Sequence, residues 1–195
     1  MTAPTRERII TEAFRLFAER GYRATTVGDI ESAAGLQPRR GSLYKHFRSK
    51  EEVLRAGIER HRQRMEAMEA AIDDMPAGDV DAQFVLLVRR GLRELGRDRD
   101  LIRIVMRESD HFPELREYRN RFAALTYRGM ADWLRRHVAA GDLPADLDIE
   151  ATAAVILGAI VNYRVEEALF GAPPPGVGED QLVAALGDLW KRLSA

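Results

Sequence analysis

Apolar side chains recur at spacings of three and four along this chain, and helix-starting and helix-stopping residues stand between the stripes. Ile10, Ala13, Phe14 and Phe17 share one helical face, and Gly21 is placed to close that helix in a left-handed conformation. Thr26 and Asp29 have the spacing of a capping box that opens a second, short helix with Val27, Ile30 and Ala34 inward, ended by Gly35. Leu43 and Phe47, four apart, anchor a third helix. Ser49 and Glu52 form another capping box ahead of a long helix through Val53, Leu54, Ile58, Met65 and Met68. Residues 74–79, DMPAGD, break it.

Phe84, Leu87, Val88 and Leu92 mark the next helix, expected to close near Gly96, and Leu101, Ile104 and Val105 mark a shorter one. Pro113 suits the first turn of a long helix that stops before Gly141. Asp148 caps a helix whose residues 151–161 are apolar around the full circumference, which a surface helix cannot be. GAPPPGVG, residues 171–178, reads as a linker. Leu182, Leu186, Leu189, Trp190 and Leu193 stripe a final helix. The alternation of two that marks strands is missing. The expected fold is all-α, with a three-helix N-terminal head and a C-terminal body of about six longer helices.

The head is basic. Residues 1–50 hold ten Lys and Arg against five Asp and Glu, whereas the remainder holds twenty against twenty-six, although the whole chain nets only -1. A cationic head on an acidic body points to an anionic partner, and ordinary scatter of surface charge is the alternative. The 195 residues suffice for one domain, or for a small domain joined to a larger one, and 46% of them are hydrophobic, so a sizeable core is expected. With no cysteine, thiolate metal sites and disulfides are excluded and a reducing, cytoplasmic setting is favoured. The first residues lack the apolar run of a secretory signal, and the 151–161 run is too short to span a bilayer, so no membrane association is expected.

Within the head, the stretch GLQPRRGSLYKHFRSK (residues 35–50) gathers Arg39, Arg40, Lys45, Arg48 and Lys50 with Tyr44 and His46 around three large apolar residues. Two short helices joined by a glycine-containing turn have the sequence form of a helix-turn-helix. With Leu43 and Phe47 inward, Arg39, Arg40, Ser42, Tyr44, Lys45 and His46 are left to face outward. Arginine forks onto guanine edges, while lysine, tyrosine and histidine hold phosphates. Helix starts beside Thr26 and Lys50 offer further N–H groups to phosphate. Taken alone, Arg39 and Arg40 are more often solvated surface groups, Phe47 is chiefly a core aromatic, and Tyr44, as a half-buried ring with its hydroxyl outward, fits both roles; the constellation carries the inference. His46 has no second histidine or carboxylate at useful helical spacing, so no metal site is expected.

TTVGDIESAAGL and GSLYKHFRSKEEVL, with RERIITEAFRLFAERGYRATTV before them, resemble the N-terminal signature of the TetR family (tetracycline-repressor-like regulators) over about the first third of the chain. The resemblance implies a homodimer on a palindromic double-stranded DNA operator and, usually, a small effector in the body that releases it. By the match, Thr26, Tyr44, His46 and Lys50 fall on phosphate-contact positions, and Ser42 and Lys45 on recognition-helix positions. Between Gly35 and Tyr44 the chain carries about two more residues than the common pattern, which leaves Arg39 and Arg40 open between base edges and backbone. The division expected is 1–48 as the DNA-binding domain and 49–195 as the ligand-binding and dimerisation domain, with 49–72 as a linking helix.

In the body, the resemblance puts dimerisation on the last two long helices, through Ile156, Ile160, Leu182, Leu186, Leu189, Trp190 and Leu193. A helix buried wholly within one subunit is the alternative for residues 151–161. Phe84, Met106, Phe122, Tyr127, Met130 and Trp133 are candidates to line an apolar effector cavity, with Thr126, Asn162 and Glu166 as its polar groups; plain core packing is the competing reading. The rival function is an all-helical binding protein or enzyme whose head is a protein-interaction module. No catalytic constellation supports it, since paired histidines, a phosphate-cradling glycine loop and a nucleophile elbow are all missing, and no cofactor is expected.

Overall fold

The computed structural model describes residues 3–37, 41–73 and 78–194, with the backbone alone at 3–4 and 68–73. The described residues form α1 (Ala3–Arg20), α2 (Val27–Ala33), a 3₁₀ turn (Leu43–Lys45), α3 (Lys50–Asp73), α4 (Val80–Arg97), α5 (Arg99–Glu108), α6 (Pro113–Ala140), α7 (Ile149–Phe170) and α8 (Glu179–Leu193), with no strand. No helix among them is long and apolar enough to cross a membrane. Met68 of the expected apolar stripe lies outside the described side chains.

Local chemistry sets most of the boundaries. Gly21, at φ +89°, donates its N–H to Phe17 O at 2.9 Å and ends α1. Thr26 caps α2 in a full capping box with Asp29. Asp79 and Asp148 accept from Asp81 N and Ala151 N at the starts of α4 and α7. At α3, Ser49 Oγ accepts from Glu52 N at 3.1 Å, but the returning Glu52 carboxylate takes Arg48 N–H instead of that of Ser49, so only half of the expected box forms.

One expectation is corrected. Among the described residues the third helix of the head is not an α-helix but a 3₁₀ turn: Gly41 sits at φ +66°, which an α-helix cannot include, and the bonding runs from Tyr44 N to Gly41 O through Phe47 N to Leu43 O. The helix through Leu92 closes at Arg97, one residue past Gly96, as its stripe and glycine imply. That glycine is a packing position, because a Cβ there would lie 3.2 Å from the Cζ of Arg164.

Packing divides the chain into two units, Met1–Ala67 with Asp100–Arg119, and Met68–Arg99 with Asn120–Ala195. The core of the first joins Ile9, Ile10, Phe14 and Phe17 of α1 to Ile30, Leu43, Phe47, Val53 and Leu54, together with Leu101, Ile104 and Val105 of α5 and Leu115 of α6. Thus α5 and the first turns of α6, which the sequence assigns to the body, pack with the N-terminal helices. The core of the second unit joins Phe84, Val88 and Leu92 of α4 to Trp133 and Leu134 of α6, Ile156 and Ile160 of α7, and Trp190 of α8. Both tryptophans are hydrogen-bonded: Trp133 Nε1 donates to Gln83 Oε1 at 3.3 Å and Trp190 Nε1 to Asp81 Oδ1 at 2.9 Å.

One glycine fixes the approach of α1 to α3. A Cβ on Gly57 would fall 2.0 Å from Cε2 and 2.1 Å from Cζ of the buried Phe14 ring. Alanine at this helical site gains up to about 1 kcal/mol of intrinsic propensity, but overpacking costs about 1–3 kcal/mol, and at such a distance the steric effect wins. Gly57→Ala is therefore expected to lower the urea midpoint of the first unit, and a midpoint at or above that of the wild type refutes the contact.

Candidate nucleic-acid interface

The short 3₁₀ turn is held from inside by two side chains and left open outside. Leu43 is 0% and Phe47 1% exposed, whereas Tyr44 between them is 59% exposed. Lys45 and Arg48 are exposed as well, and Ser42 and His46 are partly so. Phe47 receives the Arg6 guanidinium over its ring at 4.4 Å. The turn thus presents a phenol and cations on a backbone that cannot roll without exposing Leu43 and Phe47. Pro38, Arg39 and Arg40 lie outside the described residues, so Arg39 and Arg40 receive no placement.

Thr26 and Lys50 are exposed and half-buried, respectively, and both are already engaged. The Thr26 hydroxyl donates to Asp29 Oδ2 at 2.6 Å while accepting Asp29 N at 3.2 Å. The hydroxyl bond, together with the Thr26 N–H that donates to the same Oδ2 at 2.8 Å, holds the Asp29 carboxyl below its ordinary range. Lys50 Nζ turns inward, donating to Tyr22 O at 2.7 Å and Thr25 O at 2.8 Å above the Tyr22 ring. Desolvation there lowers its pKa. In this arrangement Lys50 ties the start of α3 to the turn after α1, whereas Lys45 and Arg48 are the exposed cations among the described residues 41–50.

Several ties in this unit are not legible in the sequence. Arg8 Nε donates to Ala34 O at 2.7 Å, clasping α1 to the end of α2. Glu31 Oε1 accepts Leu43 N–H at 2.9 Å. Arg107 donates to Ala18 O at 3.1 Å, and Glu108 Oε1 accepts Tyr22 N–H at 3.1 Å. The segment at 107–114 thus fastens α5 to the end of α1, and no group of residues able to hold a metal is found among the described residues. Such contacts between residues 86 and 89 positions apart leave no periodic signal in a single sequence.

In the second unit the candidate residues scatter. Phe84 stacks on Trp190 with centroids 4.3 Å apart and planes 6° from parallel. Met130 and Trp133 are buried in the same core. Thr126 Oγ1 donates back to Phe122 O and Ala123 O of its own helix, Tyr127 is 42% exposed, Glu166 is partly exposed and Asn162 lies at the surface. Met106, on α5 of the first unit, is 52% exposed. The set expected at the dimer interface divides too. Ile156, Ile160, Leu186 and Trp190 are buried within the subunit and Leu182 is partly buried, while Leu189 (56%) and Leu193 (47%) remain exposed beside Val155 (69%). These three rim an apolar groove of about 270 Å³ between α7 and α8, floored by Ile156, Leu186 and Trp190.

Comparison with known proteins agrees with this geometry. Residues 9–56 match the family described as bacterial regulatory proteins, tetR family, and residues 96–186 match the AefR-like transcriptional repressor C-terminal domain. The probable HTH-type transcriptional regulator ArpR of Pseudomonas putida is 32% identical over 165 residues, 81% of this chain and 77% of that one. The HTH-type transcriptional regulator TtgR, also of Pseudomonas putida, gives the same figures. Among solved structures, the fatty acid degradation regulator FadR from Bacillus halodurans aligns with a TM-score of 0.72 at 24% identity, over 95% of this chain and 94% of that one. The FadR of Bacillus subtilis in complex with stearoyl-CoA aligns with a TM-score of 0.67 at 22% identity, over 97% of each. These two likenesses speak to the fold; the family matches and the Pseudomonas relatives speak to descent. The chain belongs to the TetR family of DNA-binding, non-enzymatic transcriptional regulators.

Proposed function

We propose that this regulator is a cytoplasmic repressor that grips a palindromic operator as a homodimer through the 3₁₀ turn and leaves it when a small apolar molecule binds the second unit. The observation that carries the DNA reading is the exposure of Tyr44 and Lys45 on a turn pinned by two fully buried side chains. Tyr44, Lys45, Ser42 and His46 form the contact set on the turn, joined by Arg39 and Arg40 just before it in sequence. Thr26 and Lys50 then serve through the backbone they fix and the N–H groups they leave at the helix starts. The dimer reading rests on the exposed apolar rim of α7 and α8. For the effector, the core around Phe84, Met130 and Trp133 favours an apolar compound, with the partly buried Phe122 of α6 a further candidate, and the acyl ligand of the Bacillus subtilis structural neighbour makes fatty acyl chains the first class to test. Tyr127, Thr126, Asn162, Glu166 and Met106 are the candidates for its polar and rim contacts.

Fluorescence anisotropy on duplexes selected from a random pool tests the interface. Lys45→Ala is expected to reduce the slope of log affinity against log salt by about 1 and to weaken all sequences alike. Tyr44→Phe removes one hydroxyl and is expected to weaken binding by about 3- to 10-fold. An unchanged slope and affinity in both variants refutes the contact set.

A further inference from the structure

A three-residue 3₁₀ turn has little stability of its own, because helix nucleation is unfavourable. This one has no capping side chain at Ser42 and follows a glycine in the left-handed region. Among the described residues, one carboxylate bonds to it from another element. Glu31 of α2 is 1% exposed and accepts the buried Leu43 N–H at 2.9 Å, across twelve residues of chain. It is the one buried carboxylate among the described residues. A carboxylate without polar partners is strongly disfavoured in such a place, so its presence beside the fully buried Ile30 demands polar partners, and the Leu43 N–H is one of them.

The base from which Glu31 acts is itself fixed. The Thr26–Asp29 box holds the start of α2, and the Arg8 clasp on Ala34 O holds its end. The charge-assisted bond then sets the backbone one residue before Tyr44 and two before Lys45. We propose that Glu31 is the positioning residue of the DNA-reading turn: as a remote N-cap on Leu43 it fixes where Tyr44 and Lys45 point, and so governs discrimination between operator and unrelated DNA. This rests on the DNA-binding reading above.

The experiment compares Glu31→Ala and Glu31→Gln in the full-length protein. Affinity is measured for a duplex selected by the wild type and for an unrelated duplex of equal length at the same salt. Exchange of the Leu43 amide is followed by NMR alongside the α2 amides. Glu31→Ala is expected to lower the preference for the selected duplex by about 10-fold or more, since a buried donor loses its acceptor. Binding to the unrelated duplex, set by phosphate neutralisation, should stay within about 3-fold. Glu31→Gln keeps an oxygen in place and is expected to hold the preference within about 3-fold, with Leu43 protected as in the wild type. Undiminished preference in Glu31→Ala overturns the proposal. So does faster exchange along all of α2, which marks general loosening, or a Gln variant that falls as far as the Ala variant. A wild type with no preference for any duplex overturns the DNA-binding reading instead, and the Leu43 exchange then still decides whether the tether exists.

Discussion

Arg164→Met is expected to lower stability by about 3 kcal/mol, which for a chain of this length shifts the melting temperature by roughly 6–12 °C. Arg164 is 8% exposed and its guanidinium bonds in three directions: Nε donates to Leu92 O at 2.8 Å, one terminal nitrogen to Glu167 at 2.6 Å and the other to Glu179 at 2.5 Å. The three acceptors belong to α4, α7 and α8, so one side chain stitches three helices of the second unit. Methionine replaces the aliphatic stem but leaves two carboxylates and a carbonyl without their donor. Because Glu167 and Glu179 are 31% and 42% exposed, water takes over part of their solvation, and the loss stays near the lower end of that for a fully buried pair. Gly96→Val should reproduce a fraction of the effect by pushing the guanidinium off α4. Thermal unfolding followed by circular dichroism checks both. A shift below about 2 °C for Arg164→Met shows that the clasp is not holding the helices together.

This clasp also shows where reading the sequence stops. The apolar stripes are legible because helical burial repeats at 3.6 residues: Phe84, Val88 and Leu92 are buried as spaced, and so are Leu101 and Ile104. Caps are legible because they act within four residues, as at Thr26 and Asp148. Arg164 and Gly96 are not legible. An arginine inside an apolar helix and a glycine near a helix end have common local meanings, and their real one depends on each other's position 68 residues apart. The same holds at the interface. The spacing of Leu43 and Phe47 locates the pinned turn, yet it implies an α-helix, since nothing in that spacing registers the positive φ of Gly41. Lys50 reads as a free cation from its neighbours in sequence, and only the fold brings the carbonyls of Tyr22 and Thr25 under its ammonium. Motif positions therefore locate the DNA-facing element, while the ties that aim it come from contacts between distant segments.

The largest functional loss is expected from a single charge on the α7–α8 rim. Leu189→Arg places a cation among Val155, Leu189 and Leu193, side chains exposed by 69%, 56% and 47% that together form an apolar edge around the groove. In the monomer the change is nearly silent, within about 0.5 kcal/mol, because Leu189 is more than half in water already. In a two-fold dimer the same residue occurs twice on one self-complementary surface, so two like charges are buried together without partners. Sedimentation should then show monomers where the wild type is dimeric. Operator affinity should fall about 100-fold or more, because the second head no longer profits from the local concentration set by the first. Leu86→Arg supplies the control: Leu86 is 50% exposed on α4 and lies off the groove, so it adds the same charge without touching the rim. If Leu189→Arg remains dimeric and binds the operator as the wild type does, dimerisation uses another surface. If both variants dissociate alike, added charge is responsible and the rim has no special part.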